Sequence, residues 1–335
     1  MSLAPILLLG GSGIVGRCTA HYLREAHPEV PLIIGGRNLA NAQKVASEVG
    51  NAEAVALDMS ATNLGLGDRE VSAVAVLVMD DSVAGLRFAQ SRGVPHLSIS
   101  RGTSEIGPEV AAYIHSPNAS AVVLATEWLV GATTIPALQV AQQFSRVDDI
   151  TIGALLDEKD ESGPAAASDM HRQSEVMPAA LTRRDGAFLW RLGDESQAQL
   201  RAIDGTTIEA IAFSPYDVMA LATATGAPNV QFNVAIDVTS TRRRGEPFST
   251  EIIIEMAGED HAGQPLRTRH AVFHPQGQMP LTALGVAMLL ERLVGLDNKP
   301  APLPGLYFPY QLLEPTAYFA RLEKIGGKVI KLDVL

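Results

Sequence analysis

The chain has 335 residues, of which 47% are hydrophobic and 19% charged, a globular rather than a disordered composition. Its formal net charge of -11 argues against a general partner for nucleic acid or anionic membranes. One cysteine, Cys18, excludes an internal disulfide framework. No apolar run approaches the ~20 residues that span a bilayer. No Lys/Arg-led segment precedes the first apolar run, so we expect a cytoplasmic protein.

The N-terminal stretch Pro5–Gly16, PILLLGGSGIVG, has the pattern of a strand, a glycine turn and a helix. The apolar run Ile6–Leu9 is short enough for a buried strand, and a helix is expected over Ile14–Glu25. The glycines satisfy G-x-G-x-x-G (Gly11, Gly13, Gly16) and G-x-x-G-x-x-G (Gly10, Gly13, Gly16). In this context the motif indicates a dinucleotide-binding loop. A glycine turn without a ligand is the alternative.

Each residue of this loop has an expected role. Gly11 permits the sharp turn, Gly13 lets a diphosphate approach bare backbone, and Gly16 lets the helix pack closely. The helix N-terminus, with its free N–H groups, faces the anion. The predicted cofactor contacts of the loop are Gly11, Ser12, Gly13, Ile14 and Val15.

The end of the second predicted strand, Pro31–Arg37, carries an arginine and no acid. A carboxylate here would bind a ribose 2′-hydroxyl, whereas Arg37 can clamp a 2′-phosphate. The sequence therefore favours NADP(H) over NAD(H), with Arg37 and the adjacent Asn38 as cofactor contacts. A surface arginine capping the strand end is the alternative.

Further strands and helices alternate, which predicts a doubly wound parallel sheet of α/β class. A helix is expected over Asn38–Val49 and another over Val83–Ser91, capped by Asp80-Asp81-Ser82. The remaining expected strands are Ala54–Asp58, Val71–Met79, His96–Ser100 and Ala121–Ala125. Three residues near strand ends, Asp58, Met79 and Ser98, are further predicted cofactor contacts. For Asp58, a solvated acid in a loop is an equally good interpretation.

After about residue 127 the pattern changes to longer, partly alternating strands, typical of an α+β domain with a mostly antiparallel sheet. The expected strands are Ile150–Asp157, Thr206–Phe213, Val230–Thr241, Thr250–Met256 and Leu266–Phe273. Helices are expected at Thr133–Phe144, Ala165–Ala180, Tyr216–Thr225, Leu281–Leu293 and Leu313–Ile325, with an edge strand near Lys328–Leu335. The polar segment Ser162–Gly186 is expected to be a loop with a helix over or beside the active cleft. We assign residues 1–127 to the dinucleotide-binding domain and 128–277 to a substrate and dimerisation domain.

The chain resembles the saccharopine dehydrogenase/reductase-like family of NADP-binding oxidoreductases. The resemblance covers about the first 125 and last 55 residues, in Gly10–Gly16, Gly36-Arg37-Asn38, Leu57-Asp58, Gly305–Pro309, Leu313-Glu314-Pro315 and Gly326-Gly327. It implies NADP-dependent hydride transfer with a small amino-acid-like or carbonyl/imine substrate. It also implies that residues 278–335 fold back onto the dinucleotide-binding domain. The chain departs from the family's frequent acid in the fifth strand, here His96–Arg101, and from its glycine-threonine pair near Ser162–Ala165.

Hydride transfer needs a proton donor or acceptor near the reacting carbon and groups that hold the substrate's charges. The candidates are Asp80, Arg101 and His171, with the alternatives of a helix cap for Asp80 and a solvated histidine for His171. Further polar residues at strand ends are Asp81, Ser98, Ser100, Glu127 and Trp128. His270 and His274 lie on an expected strand without an acidic partner, so we predict no metal site.

Two functions remain open from sequence. One is an NADP-dependent oxidoreductase; the other is a dinucleotide-binding redox sensor or scaffold without turnover. A homodimer through the second domain is expected, because a sheet with one apolar face must be covered. We place that contact in Val230–Val238; cover by Leu281–Leu293 within a monomer is the alternative.

Overall fold

The computed structural model describes residues 3–160, 163–173 and 178–334 and comprises two compact units. The first unit contains Met1–Thr126, Gly163–Ala165 and Thr282–Leu313, and the second contains Glu127–Ser162, Ala166–Leu281 and Glu314–Leu335. The C-terminal segment 278–335 is thus shared between the units.

Strands and helices alternate through the first half of the chain. In chain order they are β1 (Ile6–Leu9), α1 (Ile14–Ala26), β2 (Leu32–Gly36), α2 (Leu39–Val49), β3 (Ala52–Ala56), β4 (Ala73–Val76), α3 (Ala84–Arg92), β5 (His96–Ser98), α4 (Gly107–His115), β6 (Ala121–Leu124), α5 (Thr134–Ala141) and β7 (Phe144–Asp157). The second half contains α6 (Gly163–His171), β8 (Ala180–Arg184), β9 (Ala187–Arg191), β10 (Gln197–Arg201), β11 (Thr207–Phe213), α7 (Asp217–Thr225), β12 (Asn229–Asp237), α8 (Ser240–Arg243), β13 (Thr250–Asp260), β14 (Pro265–His274), α9 (Met279–Leu293), β15 (Gly305–Tyr307), α10 (Pro315–Lys324) and β16 (Lys328–Leu332). None of the described helices is long and apolar enough to cross a membrane.

The first unit contains a parallel sheet of seven strands in the order β15-β6-β5-β4-β1-β2-β3, which confirms the predicted doubly wound fold. All four side chains of β1 are fully buried, as expected for a parallel strand with both faces covered. The sequence missed β15, because its three residues lie in a proline-rich connector. The fourth and fifth strands end at Val76 and Ser98, earlier than expected.

The second unit contains a mostly antiparallel sheet in the order β10-β11-β12-β7-β13-β14-β16, with β8 joining β12 to β9. This confirms the predicted second sheet, although β12 pairs parallel with β7. The expected strand Val230–Thr241 instead ends at Asp237 and is followed by α8. Its end is fixed because Asp157 Oδ2 accepts hydrogen bonds from the backbone N–H and the hydroxyl of Thr239. The sequence also missed β8, β9 and β10.

The interior of β12 is covered by side chains of the same chain, which leaves little of Val230–Val238 for the dimer contact that we expect there. The Phe232 ring packs against Trp128, with centroids 5.3 Å apart, and Ala235 belongs to a buried cluster with Leu155 and Leu200. Only the end of the strand, at Ile236, presents a large apolar side chain to solvent. Most of β12 is therefore buried in the single chain, and a dimer contact in this segment stays a prediction for its exposed end.

The C-terminal segment differs from the expectation that all of 278–335 folds back onto the dinucleotide-binding domain. Strand β15 does pair with β6 in the parallel sheet. However, β16 pairs antiparallel with β14 and forms an edge of the second sheet, so Glu314–Leu335 belongs to the second unit.

Candidate functional site

The turn between β1 and α1 is made by Gly10 rather than by Gly11. Gly10 has φ +88°, and a Cβ there would lie 2.5 Å from Val78 Cγ1. Only glycine fits both this left-handed conformation and this approach to the segment after β4. Gly11 is held in the turn by N–H donation to the carbonyls of Leu8 and Gly35.

Gly13 and Gly16 have the expected geometry for a dinucleotide loop. A Cβ on Gly13 would have only Gly10 O within 4 Å, at 3.3 Å, so this backbone is open. A Cβ on Gly16 would lie 2.5 Å from Gly11 Cα and 2.6 Å from Gly10 O. Glycine is therefore required at Gly16 for α1 to pack on the turn, whereas a Cβ at Gly13 would meet only the Gly10 carbonyl oxygen, in a tight contact.

The N-terminus of α1 is suited to an anion. Gly13 occupies the N-cap without a side-chain hydrogen bond, and the first turn contains no acid. Its leading N–H groups therefore have no intrahelical acceptor, and the helix dipole is not neutralised locally. Ile14 is 47% exposed beside this terminus, and a Cβ on Gly163 would lie 2.9 Å from its Cδ1. Gly163, in the polar segment, therefore lies next to the glycine loop.

The glycine loop lies at the point where the strand order reverses, between β1 and β4. In an open parallel sheet, ligands bind beyond the carboxyl ends of the strands at this point. The loops that follow β1 to β5 share that edge, since the strands are parallel. They carry the predicted cofactor residues Arg37, Asp58, Met79 and Ser98.

The end of β2 carries no acidic residue, and the glycine loop approaches it closely. A Cβ on Gly36 would lie 2.8 Å from Ser12 Oγ, so the serine hydroxyl occupies the space beside this strand end. Arg37 follows directly and is exposed. Asn38 caps α2, its side chain accepting from the Asn41 N–H at 3.1 Å, which commits that side chain to structure.

Asp58 is exposed in the loop after β3. Its Oδ1 accepts from both the N–H and the hydroxyl of Ser60, at 2.9 and 2.5 Å. The hydroxyl hydrogen bond, followed by the backbone bond, lowers the pKa of Asp58. The residue therefore presents a fixed carboxylate at the cofactor edge of the sheet.

Asp80 and Arg101 lie together, but both are committed to structure. The Asp80 carboxylate caps α3 by accepting from Ala84 N–H at 3.0 Å and Gly85 N–H at 2.8 Å. This is the helix-cap alternative that the sequence left open. Arg101 is 4% exposed, and its guanidinium donates to the backbone oxygen of Asp80. Its Nε lies 4.0 Å from Glu109 Oε1. Arg101 therefore stabilises this loop rather than presenting its charge to a substrate.

Glu109, on α4, is a buried acid that the sequence analysis missed. Burial raises its pKa to about 7, although the charge of Arg101 and a hydrogen bond with Ser98 oppose this shift. Burial also lowers the pKa of His96 to about 4, against the charge of Asp80. Ser98 thus contacts Glu109 inside the first unit. Neither hydrophobic periodicity nor a sequence motif distinguishes Glu109, because its position beside Arg101 depends on the fold.

In the second unit, the segment that follows β6 is strained. Leu129 and Val130 have φ +50° and +56°, and Gly131 has φ +91°. A left-handed valine is a genuine outlier, and such conformations cluster at functional sites. The turn closes by a 2.8 Å hydrogen bond from Val130 N–H to Glu127 O. The sequence marked Glu127 and Trp128 but carried no signal for this strain.

A fully buried carboxyl group, Asp217 at the start of α7, holds this turn. Its Oδ2 accepts from the backbone N–H of Trp128 at 2.5 Å. Burial raises the pKa of Asp217 to about 7. Glu127, 2% exposed, accepts from the Thr134 hydroxyl at 2.5 Å. Two buried acids, Glu127 and Asp217, thus lie at the strained turn. Asp217 was not predicted from sequence.

His171 lies at the end of α6 in the second unit and is exposed. Asp80 and Arg101 belong to the first unit. The part of the polar segment at residues 161–162 and 174–177 lies outside the described residues. Among the described residues, no group of three or more His, Cys, Asp or Glu side chains can hold a metal ion.

Comparison with known proteins identifies the fold. No protein-family model and no curated protein matches the sequence. Among solved structures, saccharopine dehydrogenase (L-Glu forming) from Saccharomyces cerevisiae is similar, with a TM-score of 0.66 and 13% identity over 98% of this chain and 100% of that chain. GenD2 from gentamicin A biosynthesis, solved in complex with NAD, has a TM-score of 0.50 and 11% identity over 100% of this chain and 97% of that chain.

These similarities, together with the two sheets, define the class of fold. The chain has a saccharopine dehydrogenase-like oxidoreductase fold. At this level of sequence identity the likeness concerns the fold alone.

Proposed function

We propose that the protein is an NADP-dependent oxidoreductase that transfers a hydride between NADP(H) and a small amino-acid-like or carbonyl/imine substrate. The observation that carries the proposal is the uncapped N-terminus of α1 over the open backbone of Gly13. Backbone N–H groups and a helix dipole without a local counter-charge match a diphosphate. GenD2, a solved structure of similar fold, was determined in complex with NAD, which supports a nicotinamide dinucleotide as the ligand class.

The preference for NADP(H) rests on the end of β2. Arg37 is exposed there and directly follows Gly36, which the Ser12 hydroxyl approaches, and no carboxylate stands among Gly35 to Asn38. A guanidinium and a hydroxyl are donors that suit a 2′-phosphate. NAD(H) offers only a 2′-hydroxyl at this place and gains less from a positive charge.

Arg37→Asp tests the cofactor preference. Losing the clamp and adding repulsion weakens NADP(H) binding by about 2–4 kcal/mol, whereas NAD(H) binding is maintained or improves. Arg87→Asp is the matched control, because Arg87 is an exposed arginine of the same unit on α3. Calorimetric titration that gives equal NADP(H) affinity for wild type and Arg37→Asp removes Arg37 from the site.

Turnover is tested separately from binding. We expect NADPH oxidation with at least one member of a panel of keto acids combined with amino acids, followed by absorbance at the nicotinamide band. His171 is the remaining exposed candidate for proton transfer, so His171→Ala lowers kcat more than NADPH affinity. Tight NADPH binding without turnover on a broad panel would favour the sensor or scaffold instead.

A further inference from the structure

An exposed apolar strand stands at the edge of the second sheet. Strand β9 has four consecutive exposed residues, and three of them are large and apolar: Phe188 is 48% exposed, Leu189 44% and Trp190 45%. Leu192, directly after the strand, is 55% exposed. Among the described residues β9 pairs only with β8, so its other edge is open. A bare apolar edge is one that folded proteins normally cover.

The hairpin geometry determines which backbone groups face this open edge. Strands β8 and β9 pair in register from Arg184↔Ala187 to Ala180↔Arg191, around a turn at Asp185-Gly186 with φ +50° and +81°. In an antiparallel hairpin with a two-residue turn, Arg184 and Ala187 exchange both hydrogen bonds, and the pattern then alternates. The N–H and C=O groups of Phe188 and Trp190 therefore point away from β8, toward the open edge.

We propose that β9 pairs antiparallel with β9 of a second copy of this chain, with Leu189 on the two-fold axis. In this register Phe188 lies opposite the partner's Trp190, and Trp190 opposite the partner's Phe188. The four outward N–H and C=O groups of each copy then form two hydrogen-bonded pairs across the axis. Each pair also places an aromatic ring beside an aromatic ring, which stabilises cross-strand contacts.

Charge supports a second copy as the occupant. The hairpin end of β9 carries Arg183, Arg184 and Asp185, whereas the short helix after β9 carries Asp194 and Glu195. Antiparallel pairing places the hairpin end of one copy beside the acidic helix of the other. Two arginines and one aspartate thus meet two exposed acids, at both ends of the interface. A two-fold interface of this kind is closed and self-complementary.

The oligomeric state tests the proposal. Light scattering at micromolar concentration is expected to give twice the chain mass of 35.5 kDa. The double variant Phe188→Lys/Trp190→Lys is expected to give the single-chain mass with an unchanged circular dichroism spectrum. Ile236→Lys is the control, because Ile236 is 60% exposed on β12 and lies outside the interface. A monomeric wild type, or a dimer broken by Ile236→Lys and not by the double variant, overturns the proposal.

A cross-link tests the register without relying on a disruptive variant. With Cys18→Ala the chain has no native thiol, and Leu189→Cys then places two thiols across the axis. Cα atoms of such a non-hydrogen-bonded pair lie ~4.5 Å apart, within disulfide range. Ala187→Cys is the matched control, since the two Ala187 Cα atoms would lie about 14 Å apart. Mild oxidation should give a covalent dimer for Leu189→Cys only; cross-linking of Ala187→Cys and not Leu189→Cys overturns this register.

Discussion

Substituting the two glycines of the α1 turn separates cofactor binding from folding. Gly13→Val and Gly16→Val add the same side chain three residues apart. At Gly13 the backbone is extended, with φ −76° and ψ 175°, and the nearest atom to a new Cβ is 3.3 Å away. A β-branched residue fits this conformation, so we expect Gly13→Val to change the free energy of unfolding by less than about 1 kcal/mol.

At Gly16 the same side chain meets three backbone atoms of the turn, at 2.5, 2.6 and 2.8 Å. Carbon atoms pack at ~3.5–4.0 Å, so α1 or the turn has to move by about 1 Å. Overpacking of this kind destabilises the fold by ~1–3 kcal/mol. We expect a value near the upper end of this range, because the branched valine side chain meets backbone atoms. We therefore expect Gly16→Val to lower the melting temperature clearly and Gly13→Val to leave it nearly unchanged.

The two variants are compared by urea denaturation and by calorimetric titration with NADPH. The valine at Gly13 occupies the space that a diphosphate needs, so Gly13→Val should remove detectable NADPH binding while the protein stays folded. Normal NADPH affinity in Gly13→Val, with a wild-type melting temperature, would place the diphosphate elsewhere. A Gly16→Val protein as stable as wild type would refute the packing argument for α1.

Three further predictions concern the buried acids. Asp80→Ala removes the cap of α3 and should lower the free energy of unfolding by about 1–2 kcal/mol in urea, with little change in NADPH affinity. The pKa of Asp217 is raised from 3.8 to about 7, so the native state holds a proton that the unfolded chain releases, and stability falls as pH rises between these values. Asp217→Asn removes this titrating group. Between pH 5 and pH 7.5 the free energy of unfolding of the wild type should therefore decrease by about 2–3 kcal/mol more than that of Asp217→Asn. Glu109→Gln should act in the same direction, since burial raises the pKa of Glu109 from 4.5 to about 7. If the free energy of unfolding depends on pH in the same way for the wild type and for one of these two variants, the residue substituted in that variant does not cause the pH dependence.

The parallel sheet and the glycine loop are predictable because their signals are local. Short apolar strands, glycine turns and helical periods recur in order, and the loop residues are neighbours in sequence. The exchange of roles between Gly10 and Gly11 is a smaller error, because two adjacent glycines look alike in sequence, and only the fold shows which has the positive φ and the contact with Val78.

The rest depends on contacts that sequence does not show. Glu109 and Asp217 look like ordinary helix residues, and the fold buries them beside Arg101 and Trp128. The apolar strand β9 begins directly after the segment Ser162–Gly186, which we expected to be a loop with a helix, and the sequence analysis assigned no element to Ala187–Arg191. Likewise, alternation in Val230–Val238 is compatible with an exposed face, but the protein's own side chains cover β12.

The central claim is that NADP(H) binds over the N-terminus of α1 with its 2′-phosphate at the end of β2. A crystal structure of the protein with bound NADP tests it most directly. We predict the diphosphate within hydrogen-bond distance of the leading N–H groups of α1, above Gly13, and the 2′-phosphate against Arg37 and Ser12. A dinucleotide bound away from the glycine loop, or a 2′-phosphate without contact to Arg37, would contradict the account.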